Sequence, residues 1–185
     1  IAKGEYLVNI DGDDFIKKDY LNKINKFIIN YNPDIVAVGC TWWTPNEKTI
    51  LANTLKDGFY IKNDLISIRN YIISDIDKRK ISFGGLLYSS WSKITKLSLV
   101  KPIQNDIPND ITIGEDFAVT VQLLFNCKSL VIASSICDYC YRKNENSMIN
   151  TWKESEFSNE VLLFQYMDRV LKKDDNEKMN RYIYL

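Results

Sequence analysis

The stretch Glu5-Tyr6-Leu7-Val8-Asn9-Ile10-Asp11-Gly12-Asp13-Asp14 decides the fold class. Glu5 to Ile10 is a short apolar run that leads into acids, and it reads as a buried strand with a loop at its C-terminal end. Beyond the acids, Tyr20, Ile24, Phe27, Ile28 and Tyr31 recur at helical spacing between Lys17 and Tyr31, and Asn32-Pro33 closes that helix. Ile35-Val36-Ala37-Val38 then gives a second strand, from Asp34 to Cys40. Strand, acidic loop, helix and strand in this order predict an α/β protein.

The rest of the chain keeps the alternation. Thr41-Trp42-Trp43-Thr44, the turn signal Pro45-Asn46, and Thr49 to Leu51 predict a hairpin or lid-like excursion. Leu65, Ile68, Ile72 and Ile76 predict a helix over 63–76 capped by Asn63. Ser82 to Leu99 is broken by Gly84-Gly85, and Pro102 to Ile113 reads as a polar loop. Gly114 opens a helix from Glu115 to about Cys127 that places Phe117, Val121 and Leu124 on one side. Leu130 to Tyr141 reads as one strand, followed by a polar loop through Ser147. A last helix from about Thr151 to Lys172 carries Val161, Phe164 and Leu171.

Composition limits the chemistry. The 185 residues are 45% hydrophobic and 26% charged, enough for one domain with a buried core. Lys and Arg number 24, as do Asp and Glu, so no basic excess marks a nucleic-acid partner or an anionic membrane. Histidine is absent, which excludes Ser-His-Asp and Cys-His nucleophilic sites and any histidine general base. Carboxylates, Lys, Tyr or a hard metal ion must then carry any reaction. Cys40, Cys127, Cys137 and Cys140 include a single CxxC spacing on what reads as a strand, and buried reduced thiols are the reading adopted. With no signal peptide, this points to a reducing cytoplasm. No apolar run reaches the roughly 18 residues of a membrane span.

Four segments are candidates for function. Asp11-Gly12-Asp13-Asp14 gathers three carboxylates at a strand's C-terminal end, where open α/β sheets bind ligands, and oxygen ligands alone favour Mg²⁺ or Mn²⁺. A solvated acidic turn is the plainer alternative. Glu115 and Asp116 open a helix, where the dipole keeps a carboxylate ionised and able to take a proton from an attacking hydroxyl, though acids are common there in any case. Arg142 follows Tyr139-Cys140-Tyr141 and could grip a phosphate with its planar fork, or form a surface ion pair. In Trp91-Ser92-Lys93, Trp91 is a sugar platform or a core anchor.

Taken in sequence, the acidic triplet after a strand, Trp-x-Lys, Gly114-Glu115-Asp116 and Tyr-x-Tyr-Arg with downstream Asn146-Ser147 resemble glycosyltransferase family 2. The resemblance begins at Ala2-Lys3-Gly4-Glu5-Tyr6-Leu7, runs to about Ser147, and is loose after Thr151. It implies a GT-A fold, a mixed α/β sheet flanked by helices that binds a nucleotide-diphosphate sugar donor. Residues 1–150 would be the C-terminal part of such a catalytic domain, with the N-terminal nucleotide-binding part missing, and 151–185 a helical extension. The first strand would then have an uncovered edge.

By the same resemblance Asp11 faces the donor ribose or sugar, Asp13 is the principal ligand of Mn²⁺ or Mg²⁺, and Asp14 is an auxiliary ligand. The Glu-Asp motif falls on Glu115 and Asp116, with Asp116 the base. Arg142 lies near the leaving diphosphate, and Trp91 and Lys93 lie on the acceptor side. The implied reaction is inverting transfer of a sugar to a glycan or lipid-linked acceptor, in bacterial surface polysaccharide synthesis at the inner face of the membrane. A homo-oligomer is a further candidate partner, and mixed charges make peripheral membrane contact through the last helix weak. The competing readings are a non-catalytic carbohydrate-binding fragment and a glycoside hydrolase using Asp13 and Asp116 as its carboxylate pair.

Overall fold

Ile35-Val36-Ala37-Val38 is apolar at every position, and it forms the middle strand of a five-stranded sheet buried on both faces. The structure is a computed structural model that describes residues 2–75, 82–83, 85–143 and 155–171. The elements of its first half are β1 (Tyr6–Val8), β2 (Phe15–Ile16), α1 (Tyr20–Tyr31), β3 (Ile35–Val38), β4 (Cys40–Trp43), β5 (Lys48–Leu51), β6 (Gly58–Ile61) and α2 (Asn63–Asp75). The second half holds β7 (Ser82–Phe83), β8 (Leu86–Leu87), a 3-10 turn (Ser90–Ser92) and β9 (Lys93–Lys96). It continues through α3 (Leu97–Asp106), α4 (Glu115–Asn126), β10 (Ser129–Ala133), β11 (Tyr139–Arg142) and α5 (Ser155–Leu171).

The main sheet has the order β1-β9-β3-β10-β6, with β3 and β10 parallel and the other pairs antiparallel. A second sheet has the order β2-β11-β4-β5. Successive side chains of a strand point to opposite faces, so the β3 run divides. Ile35 and Ala37 join Leu130, Ile132 and residues of α2 to α5 on one face. Val36 and Val38 join Val131, Ala133, Trp91, Tyr139 and Tyr20 and Ile24 of α1 on the other. Each such Val, Ile or Leu contributes about 1.5–3 kcal/mol on burial. The fold is α/β, with a mixed sheet between helices. Among the described residues β1 pairs with β9 alone and ends the sheet.

Two expected strands are each divided in the structure. The run from Asp34 to Cys40 breaks at Gly39, and that from Leu130 to Tyr141 breaks between Ala133 and Tyr139. The breaks lie side by side: the Gly39 N–H donates to the Ile136 carbonyl at 3.0 Å, and both chains pass there from the first sheet to the second. A Cβ on Gly39 would meet Cys137 Sγ at 2.7 Å and the Leu51 carbonyl at 2.8 Å, so the crease needs a glycine. Cys137 therefore sits in the connection, half-buried, while Cys40, Cys127 and Cys140 are buried; all four are free thiols.

Other boundaries also move. The expected polar loop from Pro102 is partly α3, because Val100 and Ile103 anchor that helix to the core while Pro102 stays on its exposed side. Asn63 is the first residue of α2 rather than its cap, and the Lys62 carbonyl accepts from Leu65 and Ile66. In α5, Val161 and Phe164 are exposed, while Tyr166 and Met167 pack into the core beside α4. Ile76, Gly84, Asn146-Ser147 and the ends expected for the last helix lie outside the described residues. Among the described residues no helix is long and apolar enough to cross a membrane.

Candidate active site

The loop after β1 is tied to β11. The Asp14 N–H donates to the Asp11 carbonyl at 3.1 Å and closes Asp11–Asp14 as a turn. The Tyr139 hydroxyl donates to Asp14 Oδ2 at 2.6 Å and accepts from the Asp11 N–H at 3.2 Å. The Arg142 N–H donates to Asp14 Oδ1 at 2.8 Å. Both oxygens of Asp14 are thus used to hold the turn, while Asp11 and Asp13 stay exposed. A side chain on Gly12 would meet no atom within 4 Å, so the space in front of the turn is open.

The start of α4 is positioned from below by α5. Asn159 Oδ1 accepts from the N–H groups of Thr112 and Ile113 at 2.7 and 3.2 Å, and its Nδ2 donates to the Ile113 carbonyl at 2.7 Å. Gly114 follows with φ 83°, and a Cβ there would lie 2.5 Å from Leu163 Cδ2, so only glycine turns the chain into α4 at this spot. Glu115 and Asp116 come next, in the first turn of the helix. Ser90, from the 3-10 turn, donates its hydroxyl to Asp116 Oδ1.

β1 and β9 are antiparallel with Val8 opposite Ile94, so the acidic turn after β1 and Ser90, which holds Asp116, lie at the same end of the sheet. The Asp11 carboxyl is raised above its ordinary range, first by desolvation and then by the charges of Asp14, Asp116 and Asp13. Glu115 is raised as well. Desolvation is the largest cause, a bond from its own backbone N–H opposes it, and the charges of Asp116 and Asp11 add to it. Carboxylates far apart in sequence therefore repel one another in one place, an arrangement that favours a cation or an incoming proton.

The remaining candidates are placed differently from one another. Arg142 ends β11 with its guanidinium 5.1 Å from the Phe15 ring centroid and 5.8 Å from that of Trp43, so it is exposed but stacked. Trp91 is only 6% exposed and stacks on Tyr139 at 4.7 Å, which is the core reading of that residue. Lys93 is 2% exposed, and its ammonium donates to the carbonyls of Leu87 and Ser89 and to Ser92 Oγ. Burial brings its pKa down to about 7, against a smaller upward pull from Asp116. What Trp91 and Lys93 meet is therefore protein. Tyr139 and Ser90 carry site contacts that sequence reasoning missed. Tyr139 reads as one more core aromatic, and nothing near Ser90 signals a partner 26 positions away.

Among the described residues no three His, Cys, Asp or Glu side chains are grouped so as to hold a metal ion. Mg²⁺ bound together with substrate phosphates takes only one or two carboxylates from the protein. The exposed, all-oxygen pair of Asp11 and Asp13 fits that share for Mg²⁺ or Mn²⁺, whereas Asp14 has its oxygens committed to Tyr139 and Arg142.

No family model matches the chain. It is 27% identical over 153 residues to the glycosyltransferase GlyA of Streptococcus pneumoniae serotype 4, covering 82% of this chain and 21% of that protein. The structure of S. aureus TarS 1–349 in complex with UDP-GlcNAc superposes with a TM-score of 0.67 at 19% identity, covering 98% of this chain and 47% of that one. TarS 1–349 in complex with UDP gives a TM-score of 0.57 over 90% of this chain and 41% of that one. The chain shares the fold of these structures and spans less than half of their length.

Proposed function

We propose that the chain is the base-bearing, C-terminal part of a GT-A glycosyltransferase of the family 2 type. It moves a sugar from a nucleotide-diphosphate donor to a hydroxyl of a glycan or lipid-linked acceptor, in bacterial surface polysaccharide synthesis. The observation that carries this reading is that the Asp11–Asp14 turn after β1 and the Ser90–Asp116 hydrogen bond before β9 lie at the same end of the antiparallel β1–β9 pair, where Val8 faces Ile94. Support comes from the likeness to GlyA and from the fold shared with TarS, a protein whose structures hold UDP-GlcNAc and UDP. The β1 edge, which pairs with β9 alone among the described residues, is where the strands of a nucleotide-binding part would join.

In this reading Asp116 receives the proton of the acceptor hydroxyl as its oxygen bonds to the anomeric carbon. The bond from that carbon to the donor diphosphate breaks with inversion, and its electron pair leaves on the nucleotide diphosphate. Asp11 faces the donor, and Glu115 precedes the base in the first turn of α4. Arg142, beside the acidic turn, faces the leaving diphosphate with its planar fork. Trp91 acts through Tyr139, which it stacks against, and Tyr139 holds the donor turn. Mn²⁺ or Mg²⁺ held by Asp13 with the donor's phosphates would supply Lewis-acid stabilisation of the leaving group.

The test is calorimetric titration of UDP-GlcNAc and other nucleotide-diphosphate sugars into the full-length protein, with and without Mn²⁺, alongside transfer assays. Asp13→Ala is expected to abolish metal-dependent donor binding. Asp116→Asn is expected to keep it while slowing transfer by about a hundredfold or more. Absence of donor binding by the unmodified protein overturns the reading, and sugar release from a simple glycoside without nucleotide supports a hydrolase instead.

A further inference from the structure

The carboxylate of Asp116 begins α4, yet the group that holds it comes from the 3-10 turn before β9. Ser90 is half-buried and donates its hydroxyl to Asp116 Oδ1. A three-residue turn has too few bonds of its own to stay rigid, and its neighbours supply the rest. Ser92 Oγ donates to the Ser89 carbonyl at 2.6 Å. Lys93 Nζ donates to the Leu87 carbonyl at 2.5 Å, the Ser89 carbonyl at 3.0 Å and Ser92 Oγ at 3.1 Å. The Leu87 N–H is itself fixed by Asn53 Oδ1 at 2.9 Å, and Asn53 Nδ2 donates to the Val38 carbonyl at 3.1 Å in the central strand. Enclosing an ammonium is costly unless acceptors converge on it, and here three do. They all belong to the segment that carries Ser90.

We propose that Ser90 is the positioning residue of Asp116, and that the buried Lys93 fixes the turn that presents it. The inference rests on the reading of Asp116 as the base. With Oδ1 engaged by Ser90, rotation of the carboxylate is restrained and Oδ2 is directed toward the acceptor hydroxyl. The donor turn, held separately by Tyr139, is not part of this linkage.

The experiment uses the full-length protein with two readouts. The first is the χ1 rotamer distribution of Asp116 from NMR three-bond couplings, which needs no turnover. A single rotamer is expected in the unmodified protein, averaging in Ser90→Ala, and a single rotamer again in Ser90→Thr, which keeps the hydroxyl. The second is UDP release from UDP-GlcNAc. Ser90→Ala is expected to lower kcat about ten- to a hundredfold, the loss of one hydrogen bond to a charged group, with donor Kd unchanged and Ser90→Thr restoring the rate. Lys93→Met is expected to lower kcat similarly, and adding Ser90→Ala to it to cost little more, because both act through one contact. Averaging of Asp116 in the unmodified protein, or an unchanged rotamer in Ser90→Ala, overturns the positioning role. An ordered Asp116 in a protein that binds no donor leaves the geometry standing and overturns the reading of the base.

Discussion

Tyr139→Phe isolates one oxygen atom. The ring of Tyr139 stacks on Trp91 at 4.7 Å with a 9° interplanar angle, and phenylalanine keeps that contact. What disappears is the hydroxyl between Asp14 Oδ2 at 2.6 Å and the Asp11 N–H at 3.2 Å. A hydrogen bond to a charged group is worth about 1.5–3 kcal/mol and a neutral one about 1 kcal/mol. Asp14 is half-buried and keeps the Arg142 N–H, so water recovers part of the loss. A net destabilisation of about 2 kcal/mol is expected, which for a chain of this length lowers Tm by about 4–8 °C. Urea denaturation checks it. The midpoint should fall at an unchanged m-value, because the same surface is exposed on unfolding. A cycle with Asp14→Asn should return a coupling energy of about 1 kcal/mol or more. A stability loss under about 0.5 kcal/mol, or additive single changes, would refute the idea that this hydroxyl holds the acidic turn.

Two further outcomes follow from groups in the core. The Lys93 pKa is lowered to about 7 from 10.5, so above neutral pH the unfolded chain binds more protons than the folded one. Stability should therefore rise by about 0.7 kcal/mol between pH 7 and 8 and then level off, because Cys40, Cys127, Cys137 and Cys140 are all raised in the fold and lose protons first in the unfolded chain. Denaturation midpoints across that window check the slope, and its persistence in Lys93→Met would refute the assignment. Gly39→Ala places a Cβ 2.7 Å from Cys137 Sγ and 2.8 Å from the Leu51 carbonyl, and should cost about 1–3 kcal/mol in the same assay. A neutral result would show that the crease relaxes freely.

Local pattern carried much of the architecture. Tyr20, Ile24 and the apolar residues after Glu115 repeat at a helical period that tertiary contacts reinforce, and α1 and α4 lie where that period puts them. The hairpin from Cys40 to Leu51 is announced by Pro45-Asn46 between β-prone runs. What the sequence hides is set by partners distant along the chain. Gly39 reads as one residue within an apolar strand, and only the facing Cys137 and Leu51 make it the place where a strand changes sheets. Pro102 reads as a breaker, but it falls on the solvent side of α3 while Val100 and Ile103 hold the helix. A lysine reads as surface, and nothing beside Lys93 reveals that two carbonyls and a hydroxyl close around it. The acidic turn and the Glu-Asp pair were legible as separate candidates. Their meeting depends on the sheet order, which no single segment records.

The β4–β5 hairpin ends the second sheet, and Lys48, Thr49 and Ile50 lie exposed along its outer strand. Among the described residues, none of the hydrogen bonds to Asp116, the acidic turn or the start of α4 comes from β5; they come from Ser90, Tyr139, Arg142 and Asn159. Substitution on β5 therefore leaves these contacts intact, whereas loss of the Ser90, Tyr139 or Asn159 side chain removes one; the Arg142 contact is made by its main-chain N–H and survives a change of side chain. The outer strand is thus the place where this scaffold accepts change, residue by residue or by insertion, without disturbing the acidic turn or the start of α4.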